Sequence, residues 1–194
     1  MFFVPGFLIS YITFPGVMMH ELGHQLACYL SKVCVFNVKY FQFDSKISGY
    51  VQHEKTDNPW KQLLITYGPF LFNTVLGTFL VIPMSIMWTF FARRVLLPFW
   101  VKAVCYVLGY LGVSCLANAF PSRGDAKVLF TSVVKNKAVP LVIRIIIAPF
   151  VALIYLCSLA KFVWFDFVFA LGVPQVIYSI ISHNPPNFWT MFGA

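Results

Sequence analysis

Residues 59–92 read PWKQLLITYGPFLFNTVLGTFLVIPMSIMWTFFA, and this stretch decides the fold class. Its only charged side chain is that of Lys61. About 20 consecutive apolar residues suffice for a helix to cross the hydrocarbon core of a bilayer. Because the stretch is longer than that, its helix must tilt, bend or protrude, and Gly68-Pro69 and Pro83 are the expected bends. The stretch therefore predicts a transmembrane helix.

Composition places the whole chain in the same class. The chain has 194 residues, of which 60% are hydrophobic and 10% are charged. Soluble globular domains have about 45–50% apolar and about 25% charged residues, so a water-soluble enzyme with an ordinary surface is excluded. The aromatic content of 19% excludes a disordered chain. We predict an α-helical polytopic membrane protein, a single domain over 1–194 with four to five transmembrane helices: core helices at about 2–31, 59–92 and 97–120, and accessory helices at about 138–182.

The segment between the first two apolar runs has a different pattern. Residues 33–57 are polar, and their apolar side chains partly alternate on either side of the polar turn Asp44-Ser45-Lys46. This pattern predicts a small β-hairpin between helices 1 and 2. It is too short and too charged to cross a bilayer. Residues 122–137 are also polar, and we expect a short amphipathic helix there.

Basic residues predict the orientation in the membrane. The net charge is +8, and the Lys and Arg residues flank apolar runs, which favours contact with a lipid bilayer and not with nucleic acid. With five crossings, ten basic residues fall on the side of the hairpin: Lys32, Lys39, Lys46, Lys55, Lys61, Arg123, Lys127, Lys135, Lys137 and Arg144. Four fall on the other side: Arg93, Arg94, Lys102 and Lys161. We therefore predict a multi-pass integral membrane protein whose hairpin is cytoplasmic.

One motif in the first apolar run points to chemistry. Residues 20–24 read His-Glu-Leu-Gly-His, the pattern H-E-x-x-H. Helix positions i and i+4 share one face, so the imidazoles of His20 and His24 can both reach one Zn²⁺. The Glu21 carboxylate then lies close to a metal-activated water and can take its proton. The alternative is a pair of hydrogen-bonded core histidines with Glu21 paired to a lysine, but such a cluster is costly in an apolar helix.

A catalytic zinc site needs a third protein ligand. Cys28 extends the same helix face, but positions i and i+8 are about 12 Å apart, too far for one ion. Asp125 is the preferred ligand because it directly follows the third apolar run and is expected at the depth of His24. The other acids lie in a lysine-rich hairpin or on the opposite side of the membrane. The full set of candidates is Asp44, His53, Glu54, Asp57, Asp125, Asp166 and His183, with His53 and His183 next after Asp125.

Two asparagines interrupt the apolar runs. Asn73 and Asn118 can each join helices by hydrogen bonds. Each can instead donate to a substrate carbonyl or to a developing oxyanion. Both are therefore candidate substrate-binding residues.

These features together resemble the site-2 protease family of intramembrane zinc metalloproteases. The resemblance covers about residues 10–130: the H-E-x-x-H helix, the hairpin, a Gly-Pro…Asn helix at 68–73, and Asn-x-x-Pro…Asp at 118–125. It implies a core of three transmembrane helices. It also implies a zinc ion held by His20, His24 and Asp125, with Glu21 as general base. Two details depart from the family pattern: Pro121 and Asp125 enclose three residues where the family has four, and Ala126 stands where the family has glycine.

The expected function is zinc-dependent hydrolysis of peptide bonds in membrane-embedded proteins or peptides. An extended substrate segment would pair with a free edge of the hairpin. The main alternative is a non-catalytic zinc-binding scaffold that binds transmembrane segments. A di-metal lipid hydroxylase or desaturase is a third possibility, but it needs many histidines and this chain has four.

Overall fold

The computed structural model describes residues 6–42, 48–92, 96–160 and 164–182. These residues form a mostly helical protein with one small sheet, which confirms the predicted helical class. The helices are α1 (Gly6–Ile12), α2 (Phe14–Leu30), α3 (Pro59–Ala92), α4 (Phe99–Ala117), α5 (Arg123–Leu129), α6 (Leu141–Ala160) and α7 (Phe165–Ser182). The strands are β1 (Val35–Lys39) and β2 (Tyr50–His53), which form the predicted hairpin between α2 and α3.

The first apolar run, predicted as one helix over 2–31, is divided in two. α1 ends at Ile12, and α2 begins at Phe14, directly before Pro15. Proline is tolerated in the first turn of a helix because its missing N–H has no intrahelical partner there. The interruption therefore occurs at Thr13, and it makes α2 a separate 17-residue helix.

Three of the described helices are long and apolar enough to cross a membrane. They are α3, α4 and α7, with the spans Pro59–Phe91, Phe99–Ala117 and Phe165–Ser182. The apolar part of α6, Leu141–Cys157, is shorter. The predicted number of four to five crossings is therefore not confirmed, whereas a membrane protein is supported. Large apolar side chains such as Phe79, Val107 and Ile180 are exposed on these helices, as lipid-facing surfaces require.

α3 is the central helix and packs against α2, α4 and α7. The helix backbones approach closely at small residues, as is typical of membrane bundles. A Cβ atom at Gly77 of α3 would lie 2.9 Å from the carbonyl oxygen of Gly112 in α4. A Cβ atom at Gly68 would lie 3.0 Å from the carbonyl oxygen of Gly23 in α2. These glycines let α2 and α4 each approach α3 closely.

The segment after α4 folds back onto α3. α5 is the short helix predicted within 122–137, and it continues into a π-helical turn, Phe130–Val134. α5 packs with α6 through one buried apolar cluster: Ala126, Leu129, Val133, Val139, Ile147, Val151 and Ile154. Leu63 and Tyr67 of α3 pack against this cluster. Burial of its apolar side therefore holds α5, which carries Asp125, beside α3.

The hairpin lies against α2. Its strands are antiparallel, with Val38 opposite Val51 and Lys39 opposite Tyr50. The hydroxyl of Tyr40, just after β1, donates a hydrogen bond to the Gln25 side chain of α2. A Cβ atom at Gly49 would lie 2.8 Å from Cγ of Glu21. The start of β2 is therefore in close contact with the motif helix.

Replacing Gly16 by Ala is expected to destabilise the protein. A Cβ atom at Gly16 would overlap the Ser114 carbonyl oxygen, so α2 and α4 would have to separate. Such overpacking typically costs about 1–3 kcal/mol, and thermal unfolding in detergent should occur at a lower temperature. Gly172→Ala is the matched control because a Cβ atom there meets nothing within 4 Å. Equal unfolding temperatures for the two variants would contradict the close α2–α4 packing.

Candidate metal centre

His20, His24 and Asp125 converge where α2 meets α5. Nε2 of His24 lies 3.4 Å from Oδ1 of Asp125, and Nε2 of His20 lies 3.9 Å from Oδ2. One possible ligand atom from each residue lies within 4.8 Å of the other two. Ligand atoms on a tetrahedral zinc, each about 2.0–2.1 Å from the ion, are about 3.4 Å apart. The spacing of the three side chains is therefore compatible with one bound metal ion.

Hydrogen bonds to backbone carbonyls orient both imidazoles. Nδ1 of His20 donates to the carbonyl oxygen of Asn118 at 2.7 Å, and Nδ1 of His24 donates to that of Ile65 at 2.9 Å. A carbonyl oxygen only accepts, so each Nδ1 carries a hydrogen, and a ring in its neutral form has its lone pair on Nε2. Metal-binding histidines are usually held in this way. Both Nε2 atoms face the same carboxylate.

Asp125 is held by the first turn of its own short helix. The backbone N–H of Ser122 donates to Oδ2 of Asp125 at 2.7 Å, and the Ser122 hydroxyl accepts from the Asp125 N–H at 3.2 Å. This reciprocal pair is a capping box. Burial by itself would raise the pKa of Asp125, but when the facing Nε2 atoms of His20 and His24 carry protons, their hydrogen bonds and charges lower that pKa well below its usual range. Asp125 is therefore an ionised carboxylate with a fixed direction.

This arrangement calls for a positive charge at its centre. An ionised carboxylate and two nitrogen lone pairs repel one another unless a proton or a metal ion lies among them. Two imidazoles and one carboxylate are the donor set of catalytic zinc sites that keep an open position. No family model, curated protein or solved structure matches this chain. The fit of a metal ion here therefore depends on the geometry of these residues.

Glu21 lies beside this group and is not part of it. Its side chain is only 9% exposed. Glu21 lines a cavity of about 580 Å³ together with the three converging side chains. The hairpin residues 48–51 close another side of the cavity. Glu21 is therefore a buried carboxylate that adjoins both the possible metal position and an open space.

The other third-ligand candidates that the structure describes are not in the group. His53 lines the same cavity, but its Nδ1 donates to the carbonyl of Glu54 at 2.8 Å. Among the described residues, the only group of three possible ligands that lie this close together is His20, His24 and Asp125. Asp44 and His183 fall outside the described residues. Glu54 and Asp57 are exposed on the loop after β2, and Asp166 lies in the first turn of α7.

Cys28 packs in the apolar core. It is fully buried in a cluster with Ala27, Val33 and Ile65. All five cysteines are free thiols. Cys28 is therefore a core residue, as the distance along the helix predicts.

Asn73 joins three helices. Its side chain is fully buried, and Nδ2 donates to the carbonyl oxygens of Gly16 at 3.1 Å and Asn118 at 3.0 Å. Asn73 is not among the residues that line the cavity. These contacts favour the interhelical alternative over the predicted contact with substrate. They also show that Asn73 and His20 donate to the same carbonyl oxygen, that of Asn118.

Asn118 holds the break between α1 and α2. Its side-chain Nδ2 donates to Oγ1 of Thr13 and to the carbonyl oxygen of Ser114, both at 2.9 Å. Its backbone carbonyl accepts from His20. Asn118 lines the cavity, but its amide hydrogens are directed to the protein. Its position therefore favours orientation of His20 over donation to a substrate.

Two polar residues of the cavity wall were not anticipated. Gln62 and Thr66 of α3 are 3% and 2% exposed, and both line the cavity. Gln62 and Thr66 are four residues apart on a predicted helix, so the sequence could have indicated that both polar side chains lie on one helix face. The carbonyls of Asn118 and Ile65 that accept from the two imidazoles were also not predicted. Every residue has a backbone carbonyl, so the residue types do not show which carbonyl accepts a hydrogen bond.

Proposed function

We propose that this protein is an intramembrane zinc metalloprotease, as the resemblance to site-2 proteases implies. One observation carries the proposal: both Nε2 atoms and one ionised carboxylate converge beside a buried Glu21, on a cavity in a protein of membrane-length helices. In this proposal His20, His24 and Asp125 hold Zn²⁺. The donor set, its oriented imidazoles and its hydrogen-bonded carboxylate all support it.

Each residue near the centre has a defined task in peptide hydrolysis. A bound Zn²⁺ supplies Lewis-acid activation of a water molecule and of the scissile carbonyl. The Glu21 carboxylate accepts one proton from that water, whose oxygen bonds to the carbonyl carbon. Glu21 then gives the proton to the amide nitrogen as the C–N bond breaks, which leaves a carboxylic acid and an amine. The carbonyls of Asn118 and Ile65 hold the two imidazoles in place.

The substrate is a membrane protein or peptide whose chain is extended at the cleavage point. A helical segment hides its backbone, so the scissile bond must leave the helix before water can attack it. Within the described part of the chain, no third strand pairs with the two-stranded sheet, and Tyr50 and Val51 of β2 line the cavity. An added substrate strand would present its backbone there. By the count of basic residues, we place the hairpin and the cavity on the cytoplasmic side.

Metal analysis and a cleavage assay on the purified protein in detergent test the proposal. We expect one zinc per chain and hydrolysis of a quenched fluorescent peptide rich in apolar residues. A strong chelator should abolish hydrolysis, and added zinc should restore it. One zinc without hydrolysis of any membrane peptide would instead support a zinc-binding scaffold. Two irons per chain would point to an oxidase, and a chain that binds no metal would contradict the proposal.

A further inference from the structure

The imidazole of His24 donates its hydrogen bond to a backbone carbonyl inside a helix. Its Nδ1 donates to Ile65, which lies within α3. Inside an α-helix each carbonyl normally accepts from the N–H four residues later, so it has its partner already. His20 faces no such competition, because Asn118 follows the last residue of α4 and terminal carbonyls lack an intrahelical donor. Some feature of α3 must therefore leave the Ile65 carbonyl free to accept a hydrogen bond from His24.

The residue four positions after Ile65 is Pro69. Proline has no N–H, and its ring also crowds the carbonyl of the residue four before it. The Ile65 carbonyl therefore lacks its usual helical donor. Pro69 lies at the contact with the motif helix, since a Cβ atom at Gly23 would be 2.7 Å from Cα of Pro69. Gly23 directly precedes His24, so the freed carbonyl and the imidazole belong to the same contact.

We propose that Pro69 is a positioning residue of the metal centre. By removing one N–H from α3, it reserves the Ile65 carbonyl for His24 and selects the tautomer that presents Nε2 to Asp125. Pro69 is neither one of the possible ligands nor one of the residues that line the cavity. Its effect passes through Ile65 and His24. The inference deepens the proposed function and rests on it for the identity of the ion, whereas the tautomer of His24 is a property of the chain alone.

Pro69→Ala and Pro83→Ala form a matched pair. Both prolines lie inside α3, and both changes restore a backbone N–H and a better helix former. The carbonyl freed by Pro83 belongs to Phe79, whose side chain is exposed on the bundle surface away from the cavity. Zinc affinity, measured by competition with a chelating dye, should fall by about 10–100-fold in Pro69→Ala, the usual effect of losing an outer-shell partner. The zinc affinity of Pro83→Ala should equal that of the parent protein.

Thermal unfolding of the zinc-free proteins separates positioning from folding. Neither variant should unfold at a markedly lower temperature, so weaker zinc binding in Pro69→Ala could not be ascribed to a damaged fold. Equal zinc affinity in Pro69→Ala, Pro83→Ala and the parent protein would overturn the inference. Equal weakening in both variants would also overturn it, since the effect would then belong to α3 as a whole.

The tautomer of His24 gives a readout that needs neither metal nor activity. Nitrogen NMR shifts of the imidazole at alkaline pH should show the hydrogen on Nδ1 in the parent protein and a mixture of tautomers in Pro69→Ala. A hydrogen on Nε2 in the parent protein would overturn the inference even if the variant failed to fold. If the parent protein bound no zinc, the proposed function would fail, and this measurement would still decide the role of Pro69.

Discussion

The Glu21→Gln variant is expected to bind zinc as the parent protein does and to lose peptide hydrolysis. The carboxamide has nearly the shape of the carboxylate but cannot accept a proton from water. General acid–base catalysis typically contributes about 10²–10⁴-fold to the rate. The rate of peptide cleavage should therefore fall by at least about 10²-fold, which is background in most assays. Zinc content and the rate of peptide cleavage, measured on the same preparation, check the two halves of the prediction.

Glu54→Gln is the control for this experiment. Glu54 is exposed after β2, so its change removes the same charge at a position outside the metal group. Its cleavage rate should equal that of the parent protein. Undiminished proteolysis by Glu21→Gln would exclude Glu21 as the base. Loss of zinc from that variant would instead show that Glu21 contributes to metal binding, which the grouping of ligand atoms does not predict.

The Asp125→Ala variant is expected to lose zinc and activity together. Among the described residues, it removes the only carboxylate that faces both Nε2 atoms. It also leaves the Ser122 N–H without its acceptor. Losing an outer-shell partner already weakens metal binding by about 10–100-fold, and losing a ligand should have a larger effect. Zinc affinity by dye competition, alongside the cleavage rate, measures this loss.

A second change at the same position separates the two roles of Asp125. Asp125→Asn keeps an oxygen that can accept from the Ser122 N–H, so it should unfold at a higher temperature than Asp125→Ala while binding zinc as poorly. Asp57→Ala, at an exposed acid before α3, should leave zinc affinity unchanged. If Asp125→Ala retained one zinc per chain, another residue would be the third ligand, and His53→Ala and His183→Ala would identify it.

Much of the fold could be predicted because its signals are local. The apolar run at 59–92 is long enough for a membrane helix whatever surrounds it, and the structure has one helix, α3, over these residues. The hairpin follows from alternation and a polar turn. The break at Thr13 and the number of membrane-length helices were less predictable, because local apolar composition does not decide where one helix stops.

The candidate site was predictable only in part. His20 and His24 share a face because four residues nearly complete a helical turn, and no other part of the chain enters that argument. Asn73 and Asn118 were harder, because an amide in an apolar helix can serve a substrate or another helix equally well. Their side-chain amides donate hydrogen bonds to the carbonyls of Gly16 and Ser114 and to the Thr13 hydroxyl. Only the packing of α2, α3 and α4 decides which acceptors these amides meet.

By itself, the sequence determined the membrane class, the hairpin and the placing of His20, Glu21 and His24 on one helical turn. Each of these follows from residues that are neighbours along the chain. The sequence favoured Asp125 as the third ligand, but only the tertiary structure shows it beside the two imidazoles. The tertiary structure alone also decides which backbone carbonyls orient the imidazoles. His20 and Asn118 are 98 positions apart, and His24 and Ile65 are 41 apart. Such contacts exist because small residues let α2, α3 and α4 pack closely, and local periodicity carries no information about that packing.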